Sequence, residues 1–142
     1  MKIGIINGAN LNALGTREPE VYGHMTLRDI ENALSREFED LSLEFFQSNL
    51  EGELVTQLQE WGKTQDALLI NAGGYTHTSV VIADAVASCP IPVIEIHMSN
   101  IFAREDFRHV SLLGAHCKAS ISGMGWESYA LGIEAAKRLL RK

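Results

Sequence analysis

Short apolar runs alternate along this chain with longer stretches in which apolar residues recur at helical spacing. The runs Lys2–Asn7, Ser42–Gln47, Ala67–Asn71, 92–96 and 117–122 predict five strands, the last having the lowest apolar content. A first helix is predicted behind Thr26, which with Asp29 three residues on makes a capping-box start, and Leu27, Ile30, Leu34, Phe38 and Leu41 fall on one stripe. Leu54, Val55, Leu58 and Trp61 mark a second helix, and residues 126–141 a last one, with Leu131, Ala135 and Leu139 recurring. The segment 79–89 differs from these, since eight of its eleven positions are apolar and only Asp84 is charged. A helix apolar on more than one side needs more than one covering surface. The sheet supplies one, so a neighbouring subunit is expected on another, with Asp84 at or near the interface.

Strands alternating with helices imply an α/β fold in which a parallel sheet is covered on both faces, most simply a flavodoxin-like, doubly wound sheet of five strands. The 142 residues suit a single domain, 1–142, without a linker, an internal repeat or a low-complexity tract.

Charge and cysteine usage narrow the function classes. The formal net charge is −6 and no long basic block occurs, which disfavours a nucleic-acid partner. Cys89 and Cys117 lie far apart outside any CxxC, which suits a reducing compartment and gives no thiolate metal site. The run at Ile3-Gly4-Ile5-Ile6 is too short for a signal segment and no run approaches a membrane span, so a cytoplasmic protein is expected.

In an open α/β sheet, ligands sit beyond the carboxyl ends of the strands. Here those ends are followed by Asn7-Gly8-Ala9-Asn10-Leu11-Asn12, by Gln47-Ser48-Asn49, by Asn71-Ala72-Gly73-Gly74-Tyr75-Thr76-His77, and by His97-Met98-Ser99-Asn100 with Arg104 and Arg108 beyond. The connection after the first strand, about 18 residues long, is long for a βα loop and reads as a lid. Carboxamides, hydroxyls, imidazoles and guanidinium groups are suited to holding hydroxyl groups and a carboxylate, so a small polyhydroxylated acid fits. The first loop has neither a P-loop ending nor a GxGxxG fingerprint, and His77 and His97 lack the spacing and carboxylates of a metal site. No cofactor and no metal are expected.

Four segments together resemble the signature blocks of the type II dehydroquinases: Gly8 to Asn12 with Arg17-Glu18-Pro19 and Tyr22-Gly23; Gln47 to Leu54; Asn71 to Asp84; and Glu95 to Asn100 with Arg104 to His109. The resemblance covers nearly the whole chain. It implies dehydration of 3-dehydroquinate to 3-dehydroshikimate by anti elimination through an enolate, in the shikimate pathway or in quinate catabolism. By the same resemblance Tyr22 is the base and His97 the general acid. Asn10 steadies the enolate oxygen through a water, while Arg17 and Arg104 activate the tyrosine. Asn71, His77 and Arg108 hold substrate hydroxyls; Ser99 and the backbone around Met98 anchor the carboxylate; Glu95 orients His97. Asp84 reaches a neighbour's site in a trimer, and four trimers assemble into a dodecamer. A phenol titrates near ~10 in water, so a tyrosine base requires nearby positive charge, which the two arginines would supply. Glu18 and Glu51 are expected to cap or brace loops, and Tyr75 and Phe107 to pack.

Four positions depart from the family pattern: Ala9 stands where proline is usual, Leu50 and Phe102 where histidine is common, and Ala83 where arginine is common. Weaker turnover or altered assembly is expected from them. Two readings from other classes remain at the level of sequence. A flavin-binding module would need a phosphate-cradling loop in place of the Asn-rich one that carries Arg17. A non-catalytic paralogue that binds a small acid would have little use for an intact Tyr22 and His97.

Overall fold

Successive side chains of a strand face opposite sides of its sheet, and this alternation divides the apolar residues into two cores. The computed structural model, which describes residues 1–141, has five strands, β1 (Lys2–Asn7), β2 (Ser42–Gln47), β3 (Ala67–Asn71), β4 (Val93–His97) and β5 (Ala119–Ser122). They pair in the order β2-β1-β3-β4-β5, all parallel. Helices α1 (Pro19–Tyr22), α2 (Leu27–Glu37), α3 (Glu51–Trp61), α4 (Val80–Ala87) and α5 (Glu127–Leu140) occupy the connections. Ile3, Ile5, Leu69, Ile94 and Ile96 face α2 and α5, with Ile30, Leu34, Tyr129 and Ile133 against them. Ile6, Leu68, Ile70 and Val93 face α3 and α4, with Leu54, Leu58, Ile82 and Val86. This is the flavodoxin-like, doubly wound arrangement, with its switch point between β1 and β3.

The first three strands and the capping box of α2 lie where the pattern predicts them; Thr26 accepts from the Asp29 N–H and Asp29 accepts from the Thr26 N–H. Three expectations change. The fourth strand runs one residue later than 92–96, beginning after Pro92, which has no N–H to offer a ladder. The fifth starts at Ala119 rather than at 117, because the Cys117 N–H is held in a turn by the Leu113 and Gly114 carbonyls. In α5 the buried face is Tyr129, Ala130, Gly132, Ile133 and Ala136, while Leu131 is 44% exposed. Small residues on that face let the helix press close to β3 and β4; Ala135 and Leu139 of the expected stripe pack at the border of the same core, and Leu131 alone turns outward. The long connection after β1 contains a 3-10 turn, Leu11–Ala13, and the single-turn α1; Leu11 and Leu14 are buried, so its first half is anchored in the core.

Helix α4 has an uncovered side. Ser79 caps it by accepting the Ile82 N–H at 3.0 Å, Ile82 and Val86 face the core, and Val80 and Val81 are 62% and 50% exposed, with Asp84 exposed beside them. Among the described residues no helix is long and apolar enough to cross a membrane.

The sheet ends in a polar rung, since Asn7 is in register with Gln47 on one side and Asn71 on the other. The chain leaves that rung through Gly8, whose N–H donates to the Asn71 carbonyl at 2.7 Å. A Cβ at Gly8 would lie 2.6 Å from the Ala72 carbonyl carbon. Gly8→Ala is therefore expected to force the ends of β1 and β3 apart and to lower stability by about 1–3 kcal/mol, the usual cost of overpacking. Urea unfolding checks this, and an unchanged midpoint would refute the close approach.

Candidate active site

The floor of the site is a buried hydrogen-bonded triad. The Tyr129 hydroxyl donates to Asn7 Oδ1 at 2.6 Å and accepts from Asn71 Nδ2 at 2.8 Å, and Asn71 Oδ1 accepts the Gly73 N–H at 3.2 Å. Burial pushes the Tyr129 phenol well above its ordinary range despite the Asn71 hydrogen bond, so it remains a neutral donor and fixes which way the Asn71 carboxamide faces.

Behind this floor β4 carries Glu95 and His97, two residues apart and thus on one face of the sheet. Glu95 is only 1% exposed. Thr76 and Ser111 both donate hydroxyls to its Oε1 at 2.5 Å, and Ser120 donates to its Oε2 at 3.1 Å. His97 Nε2 lies 2.9 Å from Oε1, close enough for an ion pair but angled away from a linear hydrogen bond. Burial alone would raise the Glu95 carboxyl; the contacts with His97, Ser111 and Thr76 outweigh it and bring the group down to about 2. With Nε2 turned to Glu95, the His97 nitrogen available to a ligand is Nδ1. The His77 ring lies nearly parallel to that of His97, with centroids 6.4 Å apart. His77 Nδ1 is 2.8 Å from the Val110 carbonyl, which can only accept, so Nδ1 carries the proton.

Positive charge gathers around Tyr22. Tyr22 ends α1, and the guanidinium carbons of Arg17 and Arg104 lie over its ring, 5.2 and 5.3 Å from the centroid. Arg104 also donates to Ser99 Oγ at 3.1 Å, and Arg108 is held by Glu105 through a 2.6 Å contact. The Arg17 contact with Glu18, at 3.6 Å, is half-exposed and weak. Glu18 sits at the N-cap of α1 with φ 39°, and Gly15 and Gly23, with φ 91° and 83°, bracket the segment.

These groups enclose a cleft of about 260 Å³, near the lower end of the roughly 300–1,000 Å³ typical of small-molecule sites. Asn10, Arg17, Tyr22, Asn71, His77, His97, Met98, Ser99, Arg104 and Arg108 all line it. Glu95 lies beneath, against His97. Asp84 does not reach this cleft; it stands on the exposed side of α4. Phe107, expected to pack, is instead 64% exposed at the rim, with the Arg108 guanidinium 4.9 Å from its ring centroid. Tyr75 is half-buried and donates its hydroxyl to the Asn49 carbonyl. The hydroxyls of Ser111 and Ser120 and the phenol of Tyr129 escape sequence reasoning because each comes from a distant segment and belongs to no spaced motif, and Thr76, though inside the Asn71-to-Asp84 block, is not singled out within it. Phe107 could have been found from its place between two polar residues, Asp106 and Arg108.

The model of the family dehydroquinase class II matches residues 1–137. A 3-dehydroquinate dehydratase of Prochlorococcus marinus (strain MIT 9515) is 53% identical over 135 residues, covering 94% of this chain and 92% of its own. One from a Nitratiruptor species is 46% identical over 145 residues, covering 100% and 92%. The crystal structure of a type II dehydroquinase from Butyrivibrio crossotus superposes with a TM-score of 0.94 at 39% identity, covering 96% of this chain and 97% of that one.

The buried carboxylate gives stability a defined pH dependence. Because the Glu95 carboxyl titrates lower in the folded chain, about 2, than its ordinary 4.5, its contribution is complete above 4.5 and is lost as pH falls toward 2. Glu95→Gln should flatten that acid limb of the urea-unfolding free energy while lowering stability at neutral pH, where His97 loses its anionic partner. An acid limb identical in the two proteins would contradict the assignment.

Proposed function

The chain belongs to the class II dehydroquinase family, hydro-lyases acting on 3-dehydroquinate, and from that premise we propose how its own residues divide the dehydration between them. Tyr22, as phenolate, takes the C2 proton and leaves an enolate on the C3 carbonyl oxygen. Asn10, acting through a water, stabilises that oxygen. His97, protonated and held by Glu95, gives a proton to the departing C1 hydroxyl as the enolate collapses into the C1–C2 double bond. One proton arrives on Tyr22 and one leaves His97 with the water, so the pair is restored by proton exchange with solvent.

The observation that carries this reading is the pair of guanidinium groups over the ring of Tyr22, in the cleft that His97 also lines. Both guanidinium groups set positive charge beside the ring and belong to segments that also line the cleft. Asn71, His77 and Arg108 hold hydroxyl groups, while Ser99, with the backbone at Met98, receives the carboxylate. The segment between Gly15 and Gly23 closes over the ligand and excludes water; the positive φ of both glycines suits a hinge at each end.

The exposed Val80 and Val81 on α4 support assembly into trimers, four of which form a dodecamer, with Asp84 directed into a neighbour's cleft. A cytoplasmic location agrees with two free thiols, Cys89 and Cys117.

The ultraviolet absorbance of the conjugated product, followed in EDTA-treated buffer, tests the chemistry. Tyr22→Phe should reduce kcat by roughly 10²–10⁴-fold, the range for loss of a general acid or base. A variant of near-normal rate would remove Tyr22 from the mechanism, and a well-folded wild type without turnover would leave only binding of an acid. For the assembly, light scattering should give a particle of twelve protomers that Val81→Glu breaks down; fully active monomers would refute the interface.

A further inference from the structure

The block Gln47-Ser48-Asn49 contributes no side chain to the cleft, yet it touches the residue on which the enolate is proposed to depend. Asn10 has φ 71° and ψ −5°, the left-handed region, and stands at the N-cap of the Leu11–Ala13 turn without capping it. An N-cap asparagine ordinarily has extended backbone angles and turns its side chain back onto the turn's own N–H groups. In the left-handed conformation that use is given up, and the carboxamide is left for the cleft.

That conformation is secured from outside. The Asn10 N–H donates to Asn49 Oδ1 at 2.9 Å. The same oxygen accepts from Gln47 Nε2 at 3.1 Å, and Gln47 Nε2 also donates to the Gly8 carbonyl at 3.2 Å. On its other side, the Asn49 carbonyl accepts the Tyr75 hydroxyl at 2.8 Å. One exposed asparagine thus joins the segments that leave β1, β2 and β3. Ser48, between the two carboxamides, faces the other way: its hydroxyl accepts the Leu50 N–H and donates to Glu53, fixing the start of α3. With Ala9 before it, Asn10 has no preceding ring to restrict the chain, so side-chain contacts must supply the restraint.

We propose that Asn49 is a positioning residue for the dehydration, holding Asn10 in its left-handed conformation by accepting its N–H through Oδ1, with Gln47 orienting that oxygen. The inference rests on the role given to Asn10 above. Because Asn49 acts only through Asn10, and Asn10 acts on the enolate rather than on the bound substrate, the loss belongs in kcat and not in KM.

The test measures kcat and KM for Asn10→Ala, Asn49→Ala, the double variant and Asn49→Asp, with urea unfolding of each. Asn49→Ala should lower kcat about tenfold with KM within about threefold, and in the Asn10→Ala background it should cost less than about twofold more, as expected of two residues acting as a unit. Asn49→Asp keeps the accepting oxygen and should recover most of the loss, which a merely space-filling role would not require. Unchanged kcat in Asn49→Ala, or losses that multiply in the double variant, would overturn the inference while leaving Asn10 in place. An Asn10→Ala variant with normal kcat would overturn the role of Asn10 and this inference with it. If Asn49→Ala folds poorly, Tyr75→Phe, which frees the Asn49 carbonyl, gives the second reading: a drop in kcat at constant KM supports the proposal and an unchanged kcat refutes it.

Discussion

A carboxylate buried in the middle of a sheet is the constraint around which this molecule is arranged. Removing an ionised carboxyl from water is costly unless every lone pair finds a partner. Glu95 finds its partners in β4, β5 and the segments following β3 and the 106–108 turn, through His97, Ser120, Thr76 and Ser111. Those contacts fix the edge of the sheet where the cleft opens, and they fix the imidazole that faces it. The same four groups that keep the charge tolerable also determine which nitrogen of His97 meets a ligand. Stability and chemistry therefore share one set of contacts.

The segment that brings Tyr22 and Arg17 to the cleft is built on another principle. Tyr22 and Arg17 lie on a short segment between two glycines of positive φ, with only one helical turn and a half-exposed ion pair of its own. Its anchorage is Tyr22, whose ring packs against the core and lies beneath the guanidinium groups of Arg17 and Arg104. Asn10 stands between the two regimes, tied to the sheet edge through Asn49 and leading directly into the anchored Leu11 and Leu14. The floor tied to the sheet ends there, and the segment proposed to close over the ligand begins beyond.

Much of this was legible in the sequence, for identifiable reasons. β1, β2 and β3 change abruptly from apolar to polar at Asn7, Gln47 and Asn71, so pattern alone gives both their limits and the edge where the site must lie. The ten expected cleft residues come from three of the four blocks and all line the cleft, because those blocks lie at the carboxyl ends of β1, β3 and β4; the block after β2 stays outside it. Where reading failed, the cause was tertiary. The buried face of α5 is made by Gly132, Ala130 and Ala136 beside Tyr129 and Ile133, and small residues give no hydrophobic signal even when they decide the approach of a helix. The hydroxyls that satisfy Glu95 lie 16, 19 and 25 residues from it. Thr76 falls inside the third block, but serines and threonines are common enough that nothing in linear order singles out these three side chains.

Arg17, Arg104 and Arg108 surround the cleft of a chain whose formal net charge is −6. An approaching organic acid is repelled by the molecule as a whole and attracted only near the mouth, within about the 8 Å over which charge is felt at physiological ionic strength. Capture is consequently a short-range event. The elimination removes a hydroxyl and leaves the carboxylate untouched, so the positive mouth meets what leaves as it meets what enters. Attraction by charge does not distinguish the two, and any distinction falls to the groups that meet the hydroxyl that is lost.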